Sequence, residues 1–206
     1  HLILHLLRAC AVILMIIFHL YYDLSVLGIA PRDMNTTFWY YFPRLIVFLF
    51  LFSMGVSLKL AHFPVINWLK IKKRLIQLGL FAFIISTATY ILFPQNWIYF
   101  GTLHCIFVGT ILGLPLLRYP KLSWLLIIII PASYLYFNIQ FSDLALLKSI
   151  KSMDYIPIYP WLWVILLGQE LGPLFLKMKV PENIFFRKIA ICGQHSLLIY
   201  LLHQPL

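Results

Sequence analysis

Charge is scarce in this chain, and acid is scarcer than base. Of 206 residues 11% are charged, with six Asp and Glu against sixteen Lys and Arg. Soluble domains carry about 25% charged residues, so a water-soluble globule is excluded. Disorder requires low hydrophobicity with high net charge; here 63% of the residues are hydrophobic, which excludes it as well. Cysteine is limited to Cys10, Cys105 and Cys192, all in apolar stretches and without a CxxC. A disulfide framework or zinc site has no support, and the three read as small core residues. No GxGxxG, P-loop, GxSxG or HExxH occurs, so nucleotide hydrolysis and serine or zinc proteolysis have no motif behind them. No internal repeat or low-complexity linker occurs, and no cleavable leader is visible, because the first apolar run is long and is expected to continue into the fold. The chain does not start with Met and stops at His203-Gln204-Pro205-Leu206 inside an apolar run, so one or both ends are expected to be missing.

Long apolar runs are what the chain has. A bilayer-spanning helix needs about 20 residues, and windows of that size mark seven candidates. They are Leu6–Leu27, Arg44–Leu60, Leu75–Phe93, Trp97–Leu117, Leu122–Phe137, Pro157–Leu176 and Lys188–Leu206. The fifth contains Pro131, which membrane helices tolerate. The expected fold is an all-α polytopic membrane protein of about seven transmembrane helices with short loops. Residues 1–206 then form one transmembrane domain, with no room for a separate soluble one.

The net charge of +10 does not point to nucleic acid, because its placement follows membrane topology. Lys59, Lys70, Lys72, Lys73, Arg74, Arg118, Lys121, Lys177, Lys179, Arg187 and Lys188 fall on one side of the seven spans. Arg32, Arg44, Lys148 and Lys151 fall on the other. The positive-inside bias makes the richer side cytoplasmic, with the amino end inside and the carboxyl end outside. Asp23, Asp33, Asp143 and Asp154 then lie outside, in or beside the longer outer segments Asp23–Pro43 and Asn138–Ile156. Trp39, Tyr40, Tyr41, Trp97, Tyr99, Trp161 and Trp163 near the outer ends read mostly as interface anchors.

Ionisable groups inside a bilayer are costly and are functional candidates by default. Arg8 and His19 are eleven residues apart, three helical turns plus about 20°, so they share a face roughly 16 Å apart along the axis. Asp23 lies four residues further on that face. The stripe runs from a cation near the cytoplasmic end to an imidazole and a carboxylate near the outer end. His104 early in the fourth span, Asp154 before the sixth and His203 at the end of the seventh share the outer depth. All five outer groups are expected to face one pocket. Imidazole beside carboxylate suits a general base. A divalent metal is the weaker reading, because His19, His104 and His203 show no metal-ligand spacing in sequence. Gly109-Thr-Ile-Leu-Gly113 and Gly168-Gln-Glu-Leu-Gly172 are GxxxG motifs that read as helix contacts, and two such faces would also serve a homodimer. Glu170 is expected to pair with an Arg or Lys.

Several strings, taken in order, resemble a known family. They are Leu7-Arg8-Ala9 through His19-Leu-Tyr-Tyr-Asp23-Leu24; Phe48-Leu-Phe-Leu-Phe-Ser53-Met-Gly55-Val-Ser57; Phe100-Gly101-Thr-Leu-His104-Cys-Ile; Asp154-Tyr-Ile-Pro157-Ile-Tyr-Pro160-Trp161; and Gly193-Gln-His195-Ser196 through Tyr200-Leu-Leu-His203-Gln204-Pro205. Together they are similar to the heparan-alpha-glucosaminide N-acetyltransferase catalytic-domain family in its short prokaryotic form, within the wider transmembrane acyltransferases. The resemblance implies an acetyltransferase that moves acetyl from cytoplasmic acetyl-CoA to an amine or hydroxyl of an extracytoplasmic glycan or glycolipid. The implied setting is a bacterial cytoplasmic membrane. The Arg–ten residues–His spacing of the wider group matches Arg8 and His19. His19 is then the base or acetyl relay, and Arg8 meets coenzyme phosphates. We assign Asp23 and His104 to catalysis beside His19, and Asp154 and His203 to acceptor binding. Where the family commonly has Asp three residues before the Arg and Gly after it, this chain has His5 and Ala9. The alternative is a multi-pass carrier or flippase using the same stripe for a solute or protons. Pro131 is then its one mid-span break, with no mirrored partner. A non-catalytic scaffold ranks third.

Overall fold

In hydrocarbon no water is present to satisfy backbone N–H and C=O groups, so a spanning chain must close its hydrogen bonds locally, as a helix does. The computed structural model describes residues 1–31, 36–137, 152–181 and 183–203. Among these residues there are eight helices and no strand. They are α1 Leu2–Val26, α2 Thr37–His62, α3 Trp68–Leu92, α4 Thr102–Leu116, α5 Pro120–Phe137, α6 Ile158–Phe175, α7 Ile184–Gln194 and α8 Ser196–Leu202.

Four of them, α1, α2, α3 and α5, are long and apolar enough to cross a membrane, or five crossings if the bent pair α7 and α8 is one span. The expected seven is therefore reached in part. The fourth window, Trp97–Leu117, yields a helix of 15 residues, because Trp97–Phe100 is not helical. The seventh window is not one rod: α7 and α8 meet at a 61° bend around His195. The helix α3 starts seven residues before its window. Asn67 caps it by accepting the Lys70 N–H at 3.0 Å, so Lys70–Arg74 are helical rather than loop. Hydropathy windows discard such cations, although Lys and Arg are good helix formers. Arg32, Asp33, Asp143, Lys148, Lys151 and the window end Gln204–Leu206 lie outside the described residues.

The chain divides into two compact units, His1–Ser53 with Leu174–Leu206, and Met54–Pro173. In the first, α1 packs along α7. The crossing is close because Gly193 has no side chain: a Cβ there would land on the His5 carbonyl oxygen and beside the Ala9 nitrogen. Ala9 is fully buried. A core of Ala11, Val12, Met15, Ile46 and Phe50 continues this seam, with Phe18, Phe42, Ile199 and Tyr200 against it. Trp39 is no bare interface anchor, since its ring stacks on Tyr21 at 4.0 Å between centroids. Gly28, at φ 75°, turns the chain after α1, and Leu27 and Ile29 return N–H bonds to Asp23 and Leu24.

In the second unit glycines again set helix distances. A Cβ on Gly55 would meet the Ile165 carbonyl, one on Gly109 the Ile165 side chain, one on Gly113 the Gln169 amide, and one on Gly172 would press on Val56. Both GxxxG motifs thus pack helix on helix within the unit. Gln169, fully buried, donates from Nε2 to the Gly113 carbonyl at 3.0 Å. Replacing Gly55 by Ala is expected to lower stability by about 1–3 kcal/mol through overpacking against backbone. Gly79→Ala, which meets a movable Phe107 ring at 3.4 Å, should be near neutral. Thermal unfolding of the purified protein in detergent compares the two.

Candidate active site

The first unit holds Arg8, His19, Asp23 and His203. Helix α1 is unbroken from Leu2 to Val26, so Arg8, His19 and Asp23 keep the shared face that their spacing dictates. Arg8 and His19 are half-buried and Asp23 is exposed. The 61° bend before α8 brings His203 against α1. The His19 and His203 rings meet edge to face with centroids 4.7 Å apart. Asp23 lies within coulombic reach of His203. His203 Nδ1 donates to the Tyr200 carbonyl at 2.6 Å, since a carbonyl only accepts. Two nitrogens remain buried without a hydrogen-bond partner among the described residues, His19 Nδ1 and His203 Nε2. His5, three residues before Arg8, also leaves a buried Nδ1 unpartnered.

The second unit holds His104 and Asp154, and both are engaged. The Gly101 N–H donates to His104 Nδ1 at 3.2 Å. The ring proton then sits on Nε2, which donates to Ser86 Oγ at 3.0 Å. Ser86 in turn donates to the Ile98 carbonyl at 2.7 Å. His104 therefore ties the start of α4 to α3, and in this tautomer neither nitrogen offers a free lone pair. Asp154 Oδ2 accepts the Thr102 N–H at 2.9 Å and the Thr102 hydroxyl at 3.2 Å. It caps α4 from a segment remote in sequence, and a carboxylate is favoured at a helix N-terminus. The same segment pairs Phe100 with Tyr155 and Met153 N–H with the Asn96 carbonyl at 3.0 Å. Gly101 is glycine because a Cβ would strike Asp154 Oδ2 and Ile98.

Sequence reasoning did not single out Tyr200, Ser86 or Thr102. The signal for Ser86 was legible: with Thr89 it forms a polar i, i+3 pair in an apolar helix, and Thr89 Oγ1 accepts the Ile98 N–H at 3.0 Å. Glu170 leaves its Oε1 buried without a hydrogen bond among the described residues.

Comparison with known proteins shows the family. The family model described as heparan-alpha-glucosaminide N-acetyltransferase, catalytic, matches residues 1–205. The chain belongs to that family. Membership makes it a transmembrane acetyltransferase, and with its long apolar helices an integral membrane protein. It does not favour the carrier reading. No curated protein and no solved structure matches the chain in the corresponding searches.

Asp154 yields a test that is independent of activity. Burial raises its carboxyl above the ordinary value, and the Thr102 hydrogen bonds oppose that rise. A folded-state pKa above the unfolded one means that stability is fullest below the unfolded pKa and falls as pH rises through the folded one. Thermal stability should therefore fall as pH climbs from the ordinary carboxylate range, about 4, through the raised value. Asp154→Asn keeps both acceptor bonds and should flatten that slope. Asp154→Ala removes the cap and should lie about 1 kcal/mol below Asp154→Asn across the pH range, with the slope flattened in both. Melting curves across pH compare the three proteins.

Proposed function

We propose that the acetyltransferase takes acetyl from acetyl-CoA on the cytoplasmic side and delivers it to an amine or hydroxyl of a sugar on the outer side of a bacterial cytoplasmic membrane. The observation that carries this reading is that Arg8 and His19 stand on one unbroken helix in a chain matched over residues 1–205 by the family model. Acetyl-CoA supplies the activated thioester. Arg8, half-buried toward the amino end of α1, suits a coenzyme phosphate, where a guanidinium makes paired charge-assisted bonds. His19 acts as base for the acceptor's proton, or as acetyl relay. Its ring is sunk among Phe18 and His203, which shields the transfer from water. A protonated acceptor amine is not nucleophilic, so a neutral imidazole with a free lone pair is the required partner.

The sidedness follows the charge count of the sequence. The amino end and the Lys70–Arg74 turn of α3 face the cytoplasm, and Asp23 and Asp154 face outward. Seven crossings then include, beside the four long apolar helices, the short α4, α6 and the broken pair α7 and α8. The acceptor is an extracytoplasmic glycan or glycolipid, for which the exposed Asp23 carboxylate offers a hydroxyl or ammonium contact.

Membranes carrying the protein, incubated with radiolabelled acetyl-CoA, should label an envelope sugar. His19→Ala should reduce labelling by at least about a hundredfold while the protein still purifies as a folded species. Arg8→Gln should raise the KM for acetyl-CoA by about tenfold, the loss of one charge-assisted bond. Undiminished labelling by His19→Ala removes His19 from the chemistry. Solute flux without coenzyme would restore the carrier reading.

A further inference from the structure

The two unpartnered nitrogens on touching rings are not equivalent. His203 donates from Nδ1 to the Tyr200 carbonyl at 2.6 Å, so a neutral His203 carries its lone pair on Nε2. That Nε2 is buried and without a partner among the described residues. His203 is also held in place. Its ring lies 5.5 Å from Tyr200, and Tyr200 lies 6.0 Å from Phe50, a buried core residue. Across the contact, His19 Nδ1 is buried and lacks a partner, with the ring centroids 4.7 Å apart. One orphan is thus an acceptor by its own hydrogen bond, and the other completes the pair if it is the donor.

We propose that His203 is a positioning residue for His19: its Nε2 accepts a hydrogen bond from His19 Nδ1–H and thereby fixes His19 in the tautomer whose Nε2 carries the lone pair. The rings meet edge to face with no hydrogen bond between these two nitrogens, so the proposed bond requires a turn of the His19 ring about its Cβ–Cγ bond. A neutral imidazole has two tautomers, and one of them offers its base at the wrong nitrogen. Enzymes often select the tautomer with a carboxylate. A second neutral imidazole does the same work without placing an anion at membrane depth, where charge is costly. Asp23, exposed four residues beyond His19 and within coulombic reach of His203, is left for the acceptor. The assignment gives His203 a role in orienting the base rather than in holding substrate. Its catalytic consequence rests on His19 being the reactive imidazole.

The test uses the full chain in detergent with 15N-histidine, and long-range 1H–15N spectra at about pH 8, above the ordinary imidazole pKa. Ring signals are assigned by single His→Gln replacements. In the unaltered protein His19 and His203 should both show the Nδ1–H tautomer. In His203→Ala the His19 signals should move toward a mixture of tautomers. In His203→Gln, whose amide oxygen still accepts, they should stay. His19 found in the Nε2–H tautomer, or held in the Nδ1–H tautomer in His203→Ala, overturns the proposal. In the labelling assay His203→Ala should lower kcat by at least about tenfold with the KM for acetyl-CoA unchanged, and His203→Gln should recover most of the rate. A raised KM at full kcat would return His203 to substrate binding. The spectra report the pair even if His19→Ala proves fully active, so failure of the base assignment and failure of the pair are separately visible.

Discussion

A polar atom buried among apolar side chains must find its partner inside the protein, because neither lipid nor core supplies one. This constraint separates the histidines of this chain. His104 satisfies it with the Gly101 N–H and Ser86, and Asp154 satisfies it with Thr102. Gln169 satisfies half of it with the Gly113 carbonyl. His19 and His203 leave one nitrogen each unsatisfied, on rings that touch. A satisfied imidazole holds helices in place. An unsatisfied one, as at His5, His19, His62 and His203 among the described residues, carries a desolvation cost of about 1–3 kcal/mol.

The same constraint explains the glycines. Helices that carry buried polar groups must approach closely enough for side chains as short as those of Ser, Thr and Asp to reach the neighbouring backbone. Gly101 admits the Asp154 carboxylate to the start of α4, and Gly113 admits the Gln169 amide. Gly193 admits the α1 backbone at His5 and Ala9. Position 9, where the family commonly has Gly, carries the next smallest residue and is fully buried. The exchange keeps the crossing close. Position 5 is the other departure. A carboxylate there would face Arg8 one turn along, whereas His5 brings no negative charge and leaves Nδ1 without a partner among the described residues.

Much of the architecture could be read in the residues themselves. Apolar runs with few charges located the helices, and the Arg8–His19–Asp23 spacing placed three polar groups on one face because α1 is continuous. GxxxG spacing foretold contact between helices and did so on residues that are packed, Gly109, Gly113 and Gly172. Windows of hydropathy failed where another force decides the boundary. The Asn67 cap carries α3 back through four cations, and Trp97–Phe100 is not helical: its backbone bonds go to Ser86, Thr89 and Ile156.

Taken alone, the order of residues determined the class of molecule, its family and the face of α1 that bears Arg8 and His19. These depend on composition and on the fixed 100° step of a helix, which are local. The partner of each polar group was a tertiary matter. His104 and His19 are both histidines in apolar helices, and their sequence surroundings do not distinguish them. What separates them is what the fold brings against each: Ser86 at 3.0 Å and the Gly101 N–H at 3.2 Å for one, and for the other the ring of His203, 4.7 Å between centroids, delivered by the bend between α7 and α8.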